Sequence, residues 1–301
     1  MKTESNSLRA VLFALGANLA IAVIKYIVSV ISGSSAMLAE AIHSLADTTN
    51  QVFLLIGRKR SRREANEIHS LGYGKEEYFW GFLVAVLLFF LGGCFSIYEG
   101  IHKFLHPEPI DNYMYIFIVL GSAILLEYKS FSVAFGEFKK NVSSGILKSV
   151  KDSTDTNLFV ILVEDFSALT GLTIVLISTL LSLINPVFDT IGTFLVGSLL
   201  IIMSWFLVNE LRKLMVGESI PREMRNDIRA ILKKYRIIRH INNIRSMFIG
   251  NNNFVLLISV DIEDLSEGGV IENVIEQIKN DITSKYRGAR YIYIDIRNSD
   301  A

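Results

Sequence analysis

Long apolar runs separated by short polar breaks organise the first two thirds of the chain. Six stretches, roughly 10–31, 34–57, 79–101, 113–133, 157–184 and 187–209, approach the ~20 apolar residues that a bilayer-crossing helix needs. Gly33, Ser34 and Ser35 divide the first pair, and Asn185 and Pro186 divide the last, so both pairs read as tight hairpins. The first stretch is too long for a cleaved signal peptide and is interrupted by Lys25, so it reads as an uncleaved span. After residue 215 the periodicity changes. Pro221 to Lys234 places Met224, Ile228, Ile231 and Leu232 on one face, which predicts a short amphipathic helix. Ile237–Phe248 and Phe254–Ile262 read as strands joined by a turn at Gly250–Asn253. A second helical pattern runs from Val270 to Ile282, and Arg290–Ile296 alternates as a last strand.

The predicted fold is therefore an α-helical membrane protein. Residues 1–215 form six transmembrane helices, and residues 216–301 form a cytoplasmic ferredoxin-like domain of order α-β-β-α-β. Composition agrees: 51% of the 301 residues are hydrophobic and 20% charged, and the mean hydropathy is +0.41. These values exclude a disordered chain, a nucleic-acid-binding protein and an ordinary soluble enzyme. One cysteine, Cys94, excludes a disulfide framework or a cysteine-based zinc finger. Basic residues crowd alternate connections: Arg58, Lys59, Arg60, Arg62, Arg63 and Lys75 in one, Lys139, Lys140, Lys148 and Lys151 in another. The remaining connections carry only Lys103, so both termini are expected on the cytoplasmic side.

Ionisable residues inside the spans are costly and mark functional candidates. Glu99, Lys129 and Asp189 lie near span ends and read as snorkelling side chains. In the second span Glu40, His43, Ser44, Asp47 and Gln51 form one polar stripe. His43 and Asp47, one turn apart, can converge on a single ion such as zinc, or can form a hydrogen-bonded pair that glues two helices. The fifth span adds Glu164 and Asp165, which project about 100° apart, so that one can face a site and the other a neighbouring helix. A cluster of three acids and a histidine needs a divalent cation or protons for balance; a salt bridge from Lys25 alone leaves acids uncompensated.

The runs SSAMLAEAIHSLADTTNQ, IHSLGYGKEEYFWGFLVA and LVEDFSALTGL resemble the cation diffusion facilitator family, in particular its zinc-transporter-like branch with Glu-Asp in the fifth span. The resemblance covers nearly the whole chain. It implies a homodimer, held through residues 216–301, that exchanges a divalent metal for protons by alternating access. It places metal ligands at His43, Asp47 and Asp165 and leaves Ile161 where the family has a further ligand, so Glu164 or Asn18 is a candidate replacement. Glu40 and Gln51 become supporting or access-path positions, and Glu127 is either an acid of the site or the partner of Lys25. Of the family's loop site, Asn66, His69 and Tyr73 retain one potential ligand, His69, and no stable loop metal is expected. The tail offers His240, Ser259 and Asp295 at strand positions and reads as a dimerisation module. His102 and His106 beside an outer loop read as solvated histidines.

The leading function is efflux of a divalent cation, Zn²⁺ by resemblance, by a secondary transporter rather than an enzyme. Metal and protons are its substrates, and no permanently bound cofactor or nucleic-acid partner is expected. Mn²⁺, Fe²⁺ or Co²⁺ remain alternatives because carboxylates with one histidine make a harder site. An organic-cation transporter and a non-transporting scaffold dimerised by its tail are the other classes. The expected location is the inner membrane of a prokaryote.

Overall fold

The computed structural model describes residues 2–106, 109–141, 156–250, 253–263 and 268–298, without the side chains of residues 2–14, 17, 133–134, 137–141 and 156–163. Six long helical stretches come first: α1 (Lys2–Ser32), α2 (Ser35–Ser61), α3 (Glu76–Leu87) continuing through a π-helical turn (Leu88–Cys94) into α4 (Phe95–Leu105), α5 (Tyr113–Asn141), α6 (Thr156–Ser182) and α7 (Val187–Val216). Four of these are long and apolar enough to cross a membrane among the described residues: Glu76–Leu105, Tyr113–Ser132, Glu164–Ser182 and Val187–Val216. The described apolar part of α1, Asn18–Ser32, is shorter. In α2 the polar stripe itself lowers the hydropathy.

Local chemistry explains the helix ends. Gly33 adopts a left-handed φ of 68°, which turns the chain sharply between α1 and α2. Ser34 then caps α2, its hydroxyl accepting the Met37 N–H at 3.1 Å. Arg58, Lys59 and Arg60 occupy the last turn of α2, where the helix dipole favours cations. The π-helical turn carries Gly92 and Gly93, and a Cβ on Gly93 would lie 2.5 Å from Ile201 Cγ1 of α7. Small residues there let two helices approach closely.

The chain divides into two compact units. The first, Met1–Gly57 with Trp80–Leu211, has only helices among its described secondary structure, and its core includes Met37 and Ala39 of α2, Ile116 and Leu120 of α5, Leu172 and Val175 of α6, and Leu200 of α7. Its outward side chains are largely apolar, among them Val30, Phe90, Leu125 and Trp205. A surface of that kind belongs against lipid rather than water.

The second unit, Arg212–Ala301 with Arg58–Phe79, contains α8 (Arg222–Leu232), β1 (Ile238–Gly250), β2 (Asn253–Ile262), α9 (Gly268–Lys285) and β3 (Ala289–Ile296). The element order expected for the tail is thus the observed one, and the sheet runs β1-β2-β3. β1 and β2 pair antiparallel, with Phe248 opposite Phe254, and β3 joins β2 in parallel after the α9 crossover. Ile228 and Leu232 of α8, Ile278 and Ile282 of α9, and Leu256 and Ile258 of β2 fill the core. Periodicity gave no sign that residues 58–79 would join this unit. Gly74 explains it: its backbone lies against Ile249–Gly250 with no room for a Cβ, and Lys75 Nζ donates to the Met215 carbonyl at 3.3 Å.

Candidate metal site on α2 and α6

The polar stripe of α2 faces inward. Glu40 and His43 are buried, and Asp47 is 19% exposed. Lys25 of α1, itself buried, donates to Glu40 Oε2 at 3.3 Å and to Ser44 Oγ at 2.7 Å. The lysine's partner is therefore Glu40 and not Glu127. On α6, Gly171 makes room for this pair, since a Cβ there would come 3.0 Å from Glu40 Oε1.

One turn further, His43 Nε2 lies 3.5 Å from Asp47 Oδ2. This distance is ionic contact but not a hydrogen bond. Both ring nitrogens of His43, Asp47 Oδ1 and Glu40 Oε1 are buried without a hydrogen-bond partner among the described residues. Buried polar atoms normally have partners, because an unmet one costs about 1–3 kcal/mol. Four such atoms on two turns of one helix mark a place where an ion or a proton would be held.

The two acids of α6 diverge, as their 100° separation requires. Glu164 Oε1 accepts a hydrogen bond from Asn50 Nδ2 of α2. Asp165 Oδ2 instead accepts from Ser130 of α5 at 3.1 Å. Glu164 is therefore the α6 acid that meets α2, and Asp165 is turned to α5. Among the described residues no three His, Cys, Asp or Glu side chains stand close enough together to hold a metal ion. Asn50 and Ser130 were missed in the sequence. Asn50 carried a signal, since it sits seven residues after His43 and extends the same stripe; Ser130 carried none.

The remaining candidates are scattered. Asn18 on α1 and Gln51 on α2 are half-buried, as is Glu127 on α5, and these three make no hydrogen bond among the described residues. The side chain of Ile161 lies outside the described residues. In the α2–α3 connection, Asn66, His69 and Tyr73 are tied to one another. The Asn66 amide donates to the Tyr73 hydroxyl at 2.9 Å, its oxygen accepts the His69 N–H at 2.7 Å, and the His69 and Tyr73 rings stack at 4.2 Å.

Asp189 departs from the snorkelling expected of it: its exposure is 0%. Its carboxylate accepts from Ser34 Oγ at 2.5 Å, Ser35 N at 2.8 Å, Ser35 Oγ at 2.9 Å and Lys103 Nζ at 3.1 Å. Lys103 also donates to the Gly33 carbonyl. The acid is drawn in because the free N–H groups opening α2 and a lysine together satisfy it.

Comparison with known proteins adds independent information. A family model described as the cation efflux transmembrane domain matches residues 11–216. The human proton-coupled zinc antiporter SLC30A9, mitochondrial, is 30% identical over 233 residues, 75% of this chain and 41% of that protein. Metal tolerance protein C4 of Arabidopsis thaliana is 29% identical over 264 residues, 86% of this chain and 58% of the relative. The manganese efflux system protein MneP of Bacillus subtilis is 21% identical over 295 residues, 97% of this chain and 96% of its own. The chain thus spans only 41% of the length of the human relative. One expectation is corrected: the relatives matched at 29–30% identity include a human mitochondrial protein and a plant protein, so a prokaryotic inner membrane is not supported. Hydropathy and loop charge report spans and sidedness, and neither names an organelle.

Proposed function

The chain belongs to the cation efflux, or cation diffusion facilitator, family, and from that premise we propose that it carries a divalent metal, zinc first, in exchange for protons. All six long helical stretches, α1 and α2 included, are spans in this reading. The tail, with its α-β-β-α-β order, is a ferredoxin-like domain that pairs two copies; Leu257 and Tyr293, exposed on its strands, support that role. The ligands are drawn from His43, Asp47, Glu164 and Asp165, with Lys25 and Glu40 as a neutral pair beside them. The observation that carries the proposal is the set of buried, unpartnered atoms on His43 and Asp47 opposite an α6 acid.

Imidazole ligates only when neutral and carboxylate only when ionised, so metal and protons compete for the same atoms. Metal arriving from the side of the basic loops releases protons from His43 and at least one acid. Reorientation then lets protons enter from the other side and expel it. Histidine suits this exchange because an ordinary imidazole titrates near pH 6.5. In such a cycle the protein makes and breaks no covalent bond; it alternates which side reaches the site.

Manganese is the second reading, favoured by the carboxylate-rich ligand set and by the name of the Bacillus relative. Proteoliposomes with an imposed pH gradient test both. Zn²⁺ flux driven by the gradient, out-competing Mn²⁺, and lost in His43→Ala and Asp47→Ala is the expected result. Flux indifferent to the gradient, or intact in both variants, contradicts the proposal.

A further inference from the structure

Two histidines outside this site have the geometry of a metal chelate. His102 and His106 lie four residues apart at the end of α4, and their rings are 5.3 Å apart and tilted by 52°. His102 lies in the last turn of the helix and His106 caps it, and the observed ring separation brings the two imidazoles side by side. Two imidazoles so placed can each direct a nitrogen at one ion at about 2.0–2.1 Å. The helix ends at Leu105, and His106 is its C-cap residue, with φ −127° and ψ 77°; its N–H still donates to the His102 carbonyl at 2.9 Å, which ties the two residues together.

Three further observations favour a cation at this place. Both rings are exposed, and neither makes a hydrogen bond or ion pair among the described residues, which leaves their nitrogens available. Tyr98, one turn earlier, lies nearly parallel to His102 with centroids 6.4 Å apart, which restrains that ring. Lys103, between the two histidines in sequence, would repel a cation if it pointed outward, but its ammonium is turned inward onto Asp189. The C-terminal end of a helix, moreover, carries partial negative charge.

We propose that His102 and His106 form a second metal site, an open two-nitrogen site for a transition-metal dication such as Zn²⁺, Cu²⁺ or Ni²⁺. Two neutral imidazoles select such ions over Mg²⁺ or Ca²⁺, which prefer oxygen. With only two protein ligands, water completes the coordination, and the ion is held weakly and exchanges readily. Under the topology proposed above, the end of α4 lies on the side opposite the basic loops, where a released metal emerges. The existence of the site does not depend on that topology or on the transport reading.

Cu²⁺ added to the purified full-length protein is the probe, read by electron paramagnetic resonance. The expected spectrum contains a component with two imidazole nitrogens. H102Q or H106Q weakens binding of that component about tenfold or more, because each removes one of two ligands. H102Q/H106Q removes it, while His43→Gln changes it less than about twofold. Both histidines are exposed, so these variants fold. A two-nitrogen component that survives in H102Q/H106Q, or that is missing from the wild-type protein, overturns the proposal. Failure of metal flux in vesicles would leave this result untouched, so the two readings fail separately.

Discussion

Helix α2 carries buried charge at two places, and they are built in opposite ways. At its start, Asp189 accepts four short hydrogen bonds from Ser34, Ser35 and Lys103 and has nothing left to satisfy. Two turns on, His43 and Asp47 are in contact with each other, yet three of their polar atoms are buried without a hydrogen-bond partner among the described residues. A saturated buried acid is a structural fastening. An unsaturated one, in the function proposed above, is where a ligand would bind and offset the cost of burying it.

The largest expected effect breaks the fastening. Asp189→Ala leaves the Lys103 ammonium buried with the Gly33 carbonyl but no counter-charge, and strips the first α2 N–H groups of their acceptor, a loss of about 3–5 kcal/mol. Thermal unfolding of the purified protein should show it as a large fall in midpoint, with little folded material recovered. His43→Gln and Asp47→Asn should do the reverse. Metal flux falls about 100-fold or more because ligands are lost, while the midpoint moves by no more than about 2 °C because no hydrogen bond is broken. If the two sets of variants behave alike, the distinction fails.

Gly171→Ala sharpens the comparison from α6. The added methyl meets Glu40 Oε1, which must shift by a few tenths of an ångström. About 1–2 kcal/mol of destabilisation is expected, with Lys25 still paired. Measured stability equal to wild type would show that Glu40 moves freely.

The smallest effect lies in the tail. Lys285 Nζ and the Tyr286 hydroxyl both donate to Asp227 Oδ2, at 2.5 and 2.6 Å, and these bonds hold the Asp227 carboxyl below its usual range. A carboxyl depressed in the folded state contributes stability above its unfolded pKa, and that contribution disappears as pH falls through the folded value. Asp227→Asn should therefore lower tail stability slightly at neutral pH and leave it unchanged at low pH, which flattens the acid limb; the effect is small because the pair is exposed and screened. An unchanged acid limb would remove Asp227 from the account.

What the sequence made legible follows from periodicity. The six apolar stretches coincide with the six long helical stretches, and the tail order is observed element by element, because both depend on local alternation of apolar and polar residues. The α2 stripe was legible for the same reason. Features that depend on which helices meet were not. Asp189 read as a span-end acid because its partners lie 86 to 155 residues away. The choice of Glu40 over Glu127 by Lys25, and of Ser130 by Asp165, likewise depends on helix rotation, which no spacing encodes. The family resemblance singled out the GYGK loop; only packing shows that Gly74 in it gives the backbone of Ile249–Gly250 room to approach.

Competition between metal and protons at His43 and Asp47 is the central claim, and proton release on metal binding tests it most directly. Zn²⁺ titrated into weakly buffered protein near pH 7, with His102 and His106 replaced by glutamine, should release about one proton or more per metal bound. The release should vanish when His43→Gln and Asp47→Asn are added. Zinc binding without proton release, or release that persists in the quadruple variant, would contradict it.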